Sequence, residues 1–324
     1  MAIEHRYVET NGIRLHCAVD GDGPLVVLLH GFPECWYSWR HQLAALAPRF
    51  RVVAPDLRGY NESDKPSGIA AYDLQELVAD VDGLVRAFGE REAVIVGHDW
   101  GGALAWSFAM EHPEATRRLV VMNCPHPAIF GEHLRHNRRQ LARSWYMFFF
   151  QIPWLPETLL GLGGARAVGK AIQRSAVRQD AITEDDLQHL RDAASRPGAL
   201  RSAINYYRAV FRSSQSQAMW PGWLRRFVHG EHPPSGLRER PEDWPKVRAP
   251  TLVIWGEGDV ALGKELTLGM EALVAAPLDI KYIPLCGHWV QQEQATLVND
   301  YLLDFLADLS PRRQLAAEPE PAPA

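Results

Sequence analysis

Ala93-Val94-Ile95-Val96-Gly97-His98-Asp99-Trp100-Gly101-Gly102 is the stretch on which the reading of this chain turns. Its four leading apolar residues read as a strand buried on both faces. Gly97 and Gly101 then flank one central side chain, and an amphipathic stretch from Gly102 to Met110 follows. Strand, glycine-flanked centre and helix is the setting of the G-x-S-x-G elbow, where a tight turn holds one side chain above a sheet edge. Both glycines matter because the turn brings the backbone too close for a Cβ. The centre here is Asp99, not serine. That exchange moves the expected chemistry from acyl transfer toward attack on a saturated, electrophilic carbon.

Outward from this stretch the same strand type repeats. Residues 6–10 and 13–19 form two short strands around Asn11-Gly12, a strong hairpin signal. Leu25 to Leu29, Arg51 to Ala54, Leu119 to Met122 and Thr251 to Trp255 are further apolar runs, and Ile280 to Ile283 is a last strand. Helical patterns such as Tyr72 to Phe88 lie between them. Strands alternating with helices predict an α/β fold: a mostly parallel sheet with helices on both faces. The alternation stops after Asn123. From Pro125 to Val247 the chain carries helical patterns, prolines and aromatics, then resumes at Ala249-Pro250-Thr251. The expected organisation is a core in two parts, residues 1–125 and 247–309, a helical insertion over 126–246, and a disordered tail over 310–324 rich in Pro, Ala and Glu.

Composition narrows the class of function. The 324 residues are 47% hydrophobic and 23% charged, with net charge -5. No basic patch suggests nucleic acid. The basic stretch His126 to Arg143 reads as a solvated helix rather than a site for an anionic partner. Cys17, Cys35, Cys124 and Cys286 form no C-x-x-C pair, so neither disulfide framework nor zinc site is expected, and reduced thiols point to a cytoplasmic protein. The amino terminus lacks an apolar signal core, and the aromatic run Trp145 to Trp154 is too short to span a membrane. No phosphate loop or metal-spaced cluster occurs, so no cofactor is expected. A monomer or homodimer is anticipated.

Read alone, G-x-D-x-G is as much a helix N-cap as a nucleophile. Other segments shift the balance. His30-Gly31-Phe32-Pro33 follows the first buried strand, on the sheet edge where ligands of open α/β sheets bind. The backbones of Phe32 and Trp100 are candidate oxyanion donors. Cys286-Gly287-His288-Trp289 follows the last strand, and His288 is the one of 13 histidines placed as a catalytic base. His30 and His98 border the site and read as packing and hydrogen-bonding residues. Asp259, in Gly256-Glu257-Gly258-Asp259, is the candidate to orient His288, with Glu257 as competitor. The other place for that acid is the strand end at 123, where Asn123 cannot carry the charge.

A carboxylate with a pKa near ~3.9 is already ionised at neutral pH. It can attack a strained or halogenated carbon directly, giving an alkyl ester that a histidine-activated water then cleaves. An epoxide leaves as an alkoxide and needs a proton, which a tyrosine can supply; a halide does not. Trp145 to Gln151 and Asn205-Tyr206-Tyr207-Arg208 carry tyrosines within the insertion, and most aromatics there read as its core.

These segments, with Trp36 to Arg40 and Asp56-Leu57-Arg58-Gly59-Tyr60, resemble the soluble epoxide hydrolases of the α/β-hydrolase family over nearly the whole chain except the tail. The resemblance implies an α/β-hydrolase fold, with an eight-stranded sheet and a helical lid. It implies Asp99 as nucleophile, a His288–Asp259 relay, and two lid tyrosines that grip the epoxide oxygen. Tyr207 matches the tyrosine of the Asn-aromatic-Tyr-Arg segment, and Tyr146 the other. Phe32, Trp100, Tyr146 and Tyr207 would surround a small-molecule epoxide. Asn61 stands where a glycine is common, and Asn tolerates positive φ well. Haloalkane dehalogenases resemble the chain too but place Asn at the Phe32 position. Fluoroacetate dehalogenases carry arginines where Trp100 and Ala103 stand, and His and Trp where Tyr146 and Met147 stand. Dehalogenation is therefore the rival activity. A non-catalytic ligand-binding protein is the rival from another class.

Overall fold

The computed structural model describes residues 3–212 and 243–309. Eight strands form one sheet: β1 (Glu4–Thr10), β2 (Ile13–Asp20), β3 (Leu25–Leu29), β4 (Arg51–Pro55), β5 (Ala93–His98), β6 (Thr116–Met122), β7 (Thr251–Gly256) and β8 (Leu278–Ile283). Their spatial order is β1-β2-β4-β3-β5-β6-β7-β8. β2 runs antiparallel to both its neighbours, and every other pairing is parallel. The β1–β2 hairpin closes at Thr10↔Ile13 through Asn11 and Gly12, both at positive φ, as a primed two-residue turn requires.

The continuous apolar runs are explained by a sheet covered on both faces. Val26, Leu28, Val94, Val96 and Val120 point into one core, packed under α1 (Arg40–Leu46) and the last long helix, Ala295–Phe305. Val27, Leu29, Ile95, Leu119 and Val121 point the opposite way, against α2 (Leu74–Ala87) and α3 (Trp100–Glu111). The sequence predicts an amphipathic α3, and here the structure differs. Leu104, Ala105, Trp106, Phe108 and Ala109 are all buried. α3 packs against β5, β6 and α2, while His126 and Tyr207 pack edge-to-face with Trp106 and Trp100. A helix enclosed on nearly every side has no polar face to show.

Between β6 and β7 the described part of the insertion is helical: α4 (Pro127–His136), α5 (Arg138–Arg143), α6 (Trp145–Phe149), α7 (Leu155–Ser175), α8 (Glu184–Ser195) and α9 (Ala199–Arg212). The basic stretch is two helices rather than one, divided at Asn137, whose side chain caps α5 by accepting from the Arg139 and Gln140 N–H groups. α7 is broken where Gly163, Gly164 and Ala165 take positive φ. The chain rejoins the sheet region through a bridge between Val247 and Val274. Residues 213–242 of the insertion, and the tail expected to be disordered, lie outside the described residues. Among the described residues no helix is long and apolar enough to cross a membrane, and no group of three or more His, Cys, Asp or Glu is arranged to hold a metal.

Candidate active site

The parallel strands end on one edge of the sheet, and the turns beyond β3, β5, β7 and β8 meet there. At the end of β5 the backbone must reverse into α3 within one residue. Asp99 takes φ 50° and ψ −118°, a conformation costly for a residue with a Cβ. Gly97 and Gly101 make the turn possible. A Cβ on Gly97 would run into the Gly101 carbonyl, and one on Gly101 into the Leu29 carbonyl. Gly31 has a role the sequence did not announce: a Cβ there would collide with the Asp99 side chain.

The Asp99 carboxylate does not cap α3. Its Oδ1 accepts the Phe32 N–H at 2.8 Å, and its Oδ2 lies 3.5 Å from His288 Nε2. The Trp100 N–H opens α3, where an amide has no acceptor in its own helix. On the other side of the ring, His288 Nδ1 donates to Asp259 Oδ2 at 2.7 Å. Asp259 Oδ1 accepts the N–H groups of Ala261 and Leu262 at 2.7 and 2.9 Å. Glu257 pairs instead with Lys264 at the surface.

Two positions underrated in the sequence support this row. Asn123, at the end of β6, donates from Nδ2 to Asp259 Oδ2 at 2.7 Å and accepts the Gly256 N–H at 2.9 Å. The strand end at 123 therefore carries no acid but holds the acid in place. His98 donates from Nδ1 to Glu34 Oε2 and from Nε2 to the His288 carbonyl, both at 2.8 Å. Glu34 is buried and also accepts from Gly31 N and the amides of Gln291 and Gln292. The backbone of His288 is thus tied to the loop that presents Phe32.

The charges interlock. Burial alone would raise the Asp99 carboxyl, but the hydrogen bond and charge of His288, the charge of His98 and the Phe32 N–H outweigh it and hold it below its ordinary value. Burial would lower His288, yet the charge and hydrogen bond of Asp259, together with Asp99, raise it well above the usual imidazole value. Asp259 is likewise lowered: burial opposes ionisation, and His288 with the Leu262 N–H and Asn123 overcomes it. Cys286, two residues from His288, is fully buried, and that burial pushes its thiol up to about 12.

The insertion closes the other wall. Tyr146 on α6 and Tyr207 on α9 lie with ring centroids 5.8 Å apart, nearly perpendicular. Both line a cavity of about 140 Å³ together with Asp99, Trp100 and Phe130. Phe32 packs edge-on against Phe150 and Tyr207. Tyr206, next in sequence, points away and donates to the Arg58 carbonyl at 2.7 Å. Burial is the main cause that raises both cavity hydroxyls far above the usual phenol value, with the Asp99 charge adding to it. Arg208 fixes the two tyrosine-bearing segments to each other. Its guanidinium donates to the Phe150 and Ile152 carbonyls at 2.9 and 2.8 Å and pairs with Glu157. The sequence marked Arg208 only as the last letter of a motif.

A family model described as alpha/beta hydrolase fold matches residues 24–295. Epoxide hydrolase 3 of Xenopus tropicalis is 36% identical over 313 residues, 94% of this chain and 78% of the relative. AB hydrolase superfamily protein YfhM of Bacillus subtilis is also 36% identical, over 94% of this chain and 98% of that protein. The crystal structure of Bacillus megaterium epoxide hydrolase in complex with an inhibitor is similar at a TM-score of 0.80 and 29% identity, covering 93% of this chain and 100% of that one. The chain belongs to the alpha/beta hydrolase fold family, among the epoxide hydrolase-like members.

Proposed function

We propose that this protein hydrolyses epoxides to vicinal diols through an ester formed on Asp99. In the first step an Asp99 carboxylate oxygen bonds to one epoxide carbon. That carbon–oxygen bond breaks, and its electron pair passes to the ring oxygen, which takes a proton from Tyr146 or Tyr207. In the second step His288 removes a proton from water, and the oxygen adds to the Asp99 carbonyl carbon. The Phe32 and Trp100 N–H groups stabilise the oxyanion there, one such donor being typically worth ~3 kcal/mol. Collapse expels the diol, restores the carboxylate, and leaves the His288 proton to return to the tyrosinate. Asp259 holds the imidazole with Nε2 toward Asp99 and balances its charge.

The observation that carries this reading is a carboxylate facing two tyrosines across an apolar cavity, with its own backbone donor and a histidine–aspartate pair behind it. The kinship with epoxide hydrolases supports it. Dehalogenation gains no support at position 32: the side chain there is Phe32, packed on aromatic rings, and offers a halide no donor. In this reading the insertion, residues 126–246, is a lid over the core formed by residues 1–125 and 247–309. Four free, buried cysteines support a cytoplasmic setting for the enzyme.

One turnover in ¹⁸O-water tests the mechanism. With enzyme in excess over styrene oxide, the label should enter the protein at Asp99 and be absent from the first diol released. Label in that diol would mean direct attack by water and would end the ester scheme.

A further inference from the structure

We propose that the enzyme prefers epoxides bearing a long, uncharged apolar chain, held along one face of α3 with its end near Glu111. This rests on the epoxide hydrolase reading above and specifies its substrate class.

The cavity does not stop at the reacting groups. From Asp99, Tyr146 and Tyr207 it continues along α3 to Met110 and Glu111. Trp100, Ala103, Ser107, Met110 and Glu111 recur at steps of three and four and so share one helix face. Eleven residues of α-helix rise about 16 Å, room for an extended chain of about ten carbons beyond the epoxide. Ala103 and Ser107 leave that space open because they are small. The Ser107 hydroxyl donates to the Ala103 carbonyl at 2.9 Å, so it is spent within its own helix and the wall stays apolar. Leu74, Phe130 and Val210 line the cavity as well.

Charge along this path has one sign. The only charged residues among the described lining are Asp99 and Glu111, and no Lys, Arg or His is among them. Glu111 is exposed at the far end. A chain ending in a carboxylate would bring like charge to Glu111 with no cation among the described lining to receive it, a repulsive element of the kind that sets specificity. A neutral chain meets no such cost, and each methylene it buries favours binding.

The test is kcat/KM over 1,2-epoxybutane, 1,2-epoxyhexane and 1,2-epoxydecane, and over 10,11-epoxyundecanoic acid against its methyl ester. Wild-type enzyme should favour epoxydecane over epoxybutane at least tenfold and the ester over the acid at least fivefold. Ser107→Leu should lower the decane-to-butane ratio about tenfold, its residual turnover of epoxybutane showing that the variant folds. Glu111→Gln, at an exposed position, should raise the acid-to-ester ratio severalfold. Diol formation with no chain-length preference in the wild type, or a ratio unmoved in both variants, would overturn this inference and leave epoxide hydrolysis standing. Absence of diol from every epoxide would instead sink the activity itself, and this proposal with it.

Discussion

At the scale of single residues, the mechanism proposed above depends on one charge appearing and disappearing. Asp99 ionises easily because His288 faces it, and His288 binds its proton tightly because Asp99 and Asp259 face it. Ester formation removes the Asp99 charge and so removes one support for the imidazolium. The signs then separate the two steps. Alkylation needs the carboxylate, whose lowered pKa keeps it charged well into acid. Ester cleavage needs neutral His288, whose raised pKa means that its proton leaves only as pH rises. Lowering the pH should therefore slow cleavage before it slows alkylation. Intact-protein mass spectrometry after rapid quenching should find more ester at pH 5.5 than at pH 8, about tenfold more if cleavage follows a single protonation. Equal or reversed amounts would show that His288 is not the base.

At the scale of elements, the proposed mechanism requires α6 and α9 to present Tyr146 and Tyr207 together. No hydrogen bond between the two tyrosines is needed if their backbones share an anchor, and Arg208 is that anchor. It is buried, and it spans the Phe150–Ile152 turn and Glu157. Arg208→Met would strand the half-buried Glu157 carboxylate and two carbonyls, a loss of about 2 kcal/mol in stability. The expected kinetic effect is a drop in kcat of about a hundredfold, with the rate of the first step most affected, since general-acid assistance is worth ~10²–10⁴. Arg208→Lys should recover only part of this, lacking the planar fork. A variant that melts lower yet alkylates Asp99 at the wild-type rate would reduce Arg208 to a purely structural role.

At the scale of the molecule, the insertion and the sheet region are joined where the His288 loop is built. Glu293 is buried and accepts four backbone N–H groups: Val177 and Arg178 of the insertion, Gly287 and Trp289 of the core. Trp289 adds a bond from its indole N–H to the Ile172 carbonyl at 3.1 Å. One carboxylate thus orients the turn carrying His288 and pins α7 above it. Glu293→Ala leaves these donors without their acceptor and should cost about 3 kcal/mol. The thermal midpoint should fall by about 6 °C on the scaling for large domains, measurable by scanning calorimetry. Glu293→Gln, which keeps one acceptor oxygen, should lose about half as much. An unchanged midpoint in Glu293→Ala would mean that the insertion is held elsewhere.

Much of this architecture is written in local pattern. Four-residue apolar runs such as Val94–Val96 with its neighbours, glycines on either side of Asp99, and the Asn11-Gly12 turn report constraints that act within a few residues, so strands, hairpin and elbow are legible one segment at a time. Helix α3 was not, because its surroundings are made of distant parts of the chain and its burial overrode the amphipathic reading. The same reason hid Asn123, Glu34, Gly31 and Arg208. Each has partners that other elements bring to it: Asn123 meets Asp259 across 136 positions of sequence, and Glu34 meets His98 across 64. The chain by itself determined which groups could react and in what order they occur. Only the tertiary structure decided which acid faces His288, which of two adjacent tyrosines enters the cavity, and how far that cavity runs along α3. Those are matters of distance and direction between elements, and no spacing along a sequence encodes them.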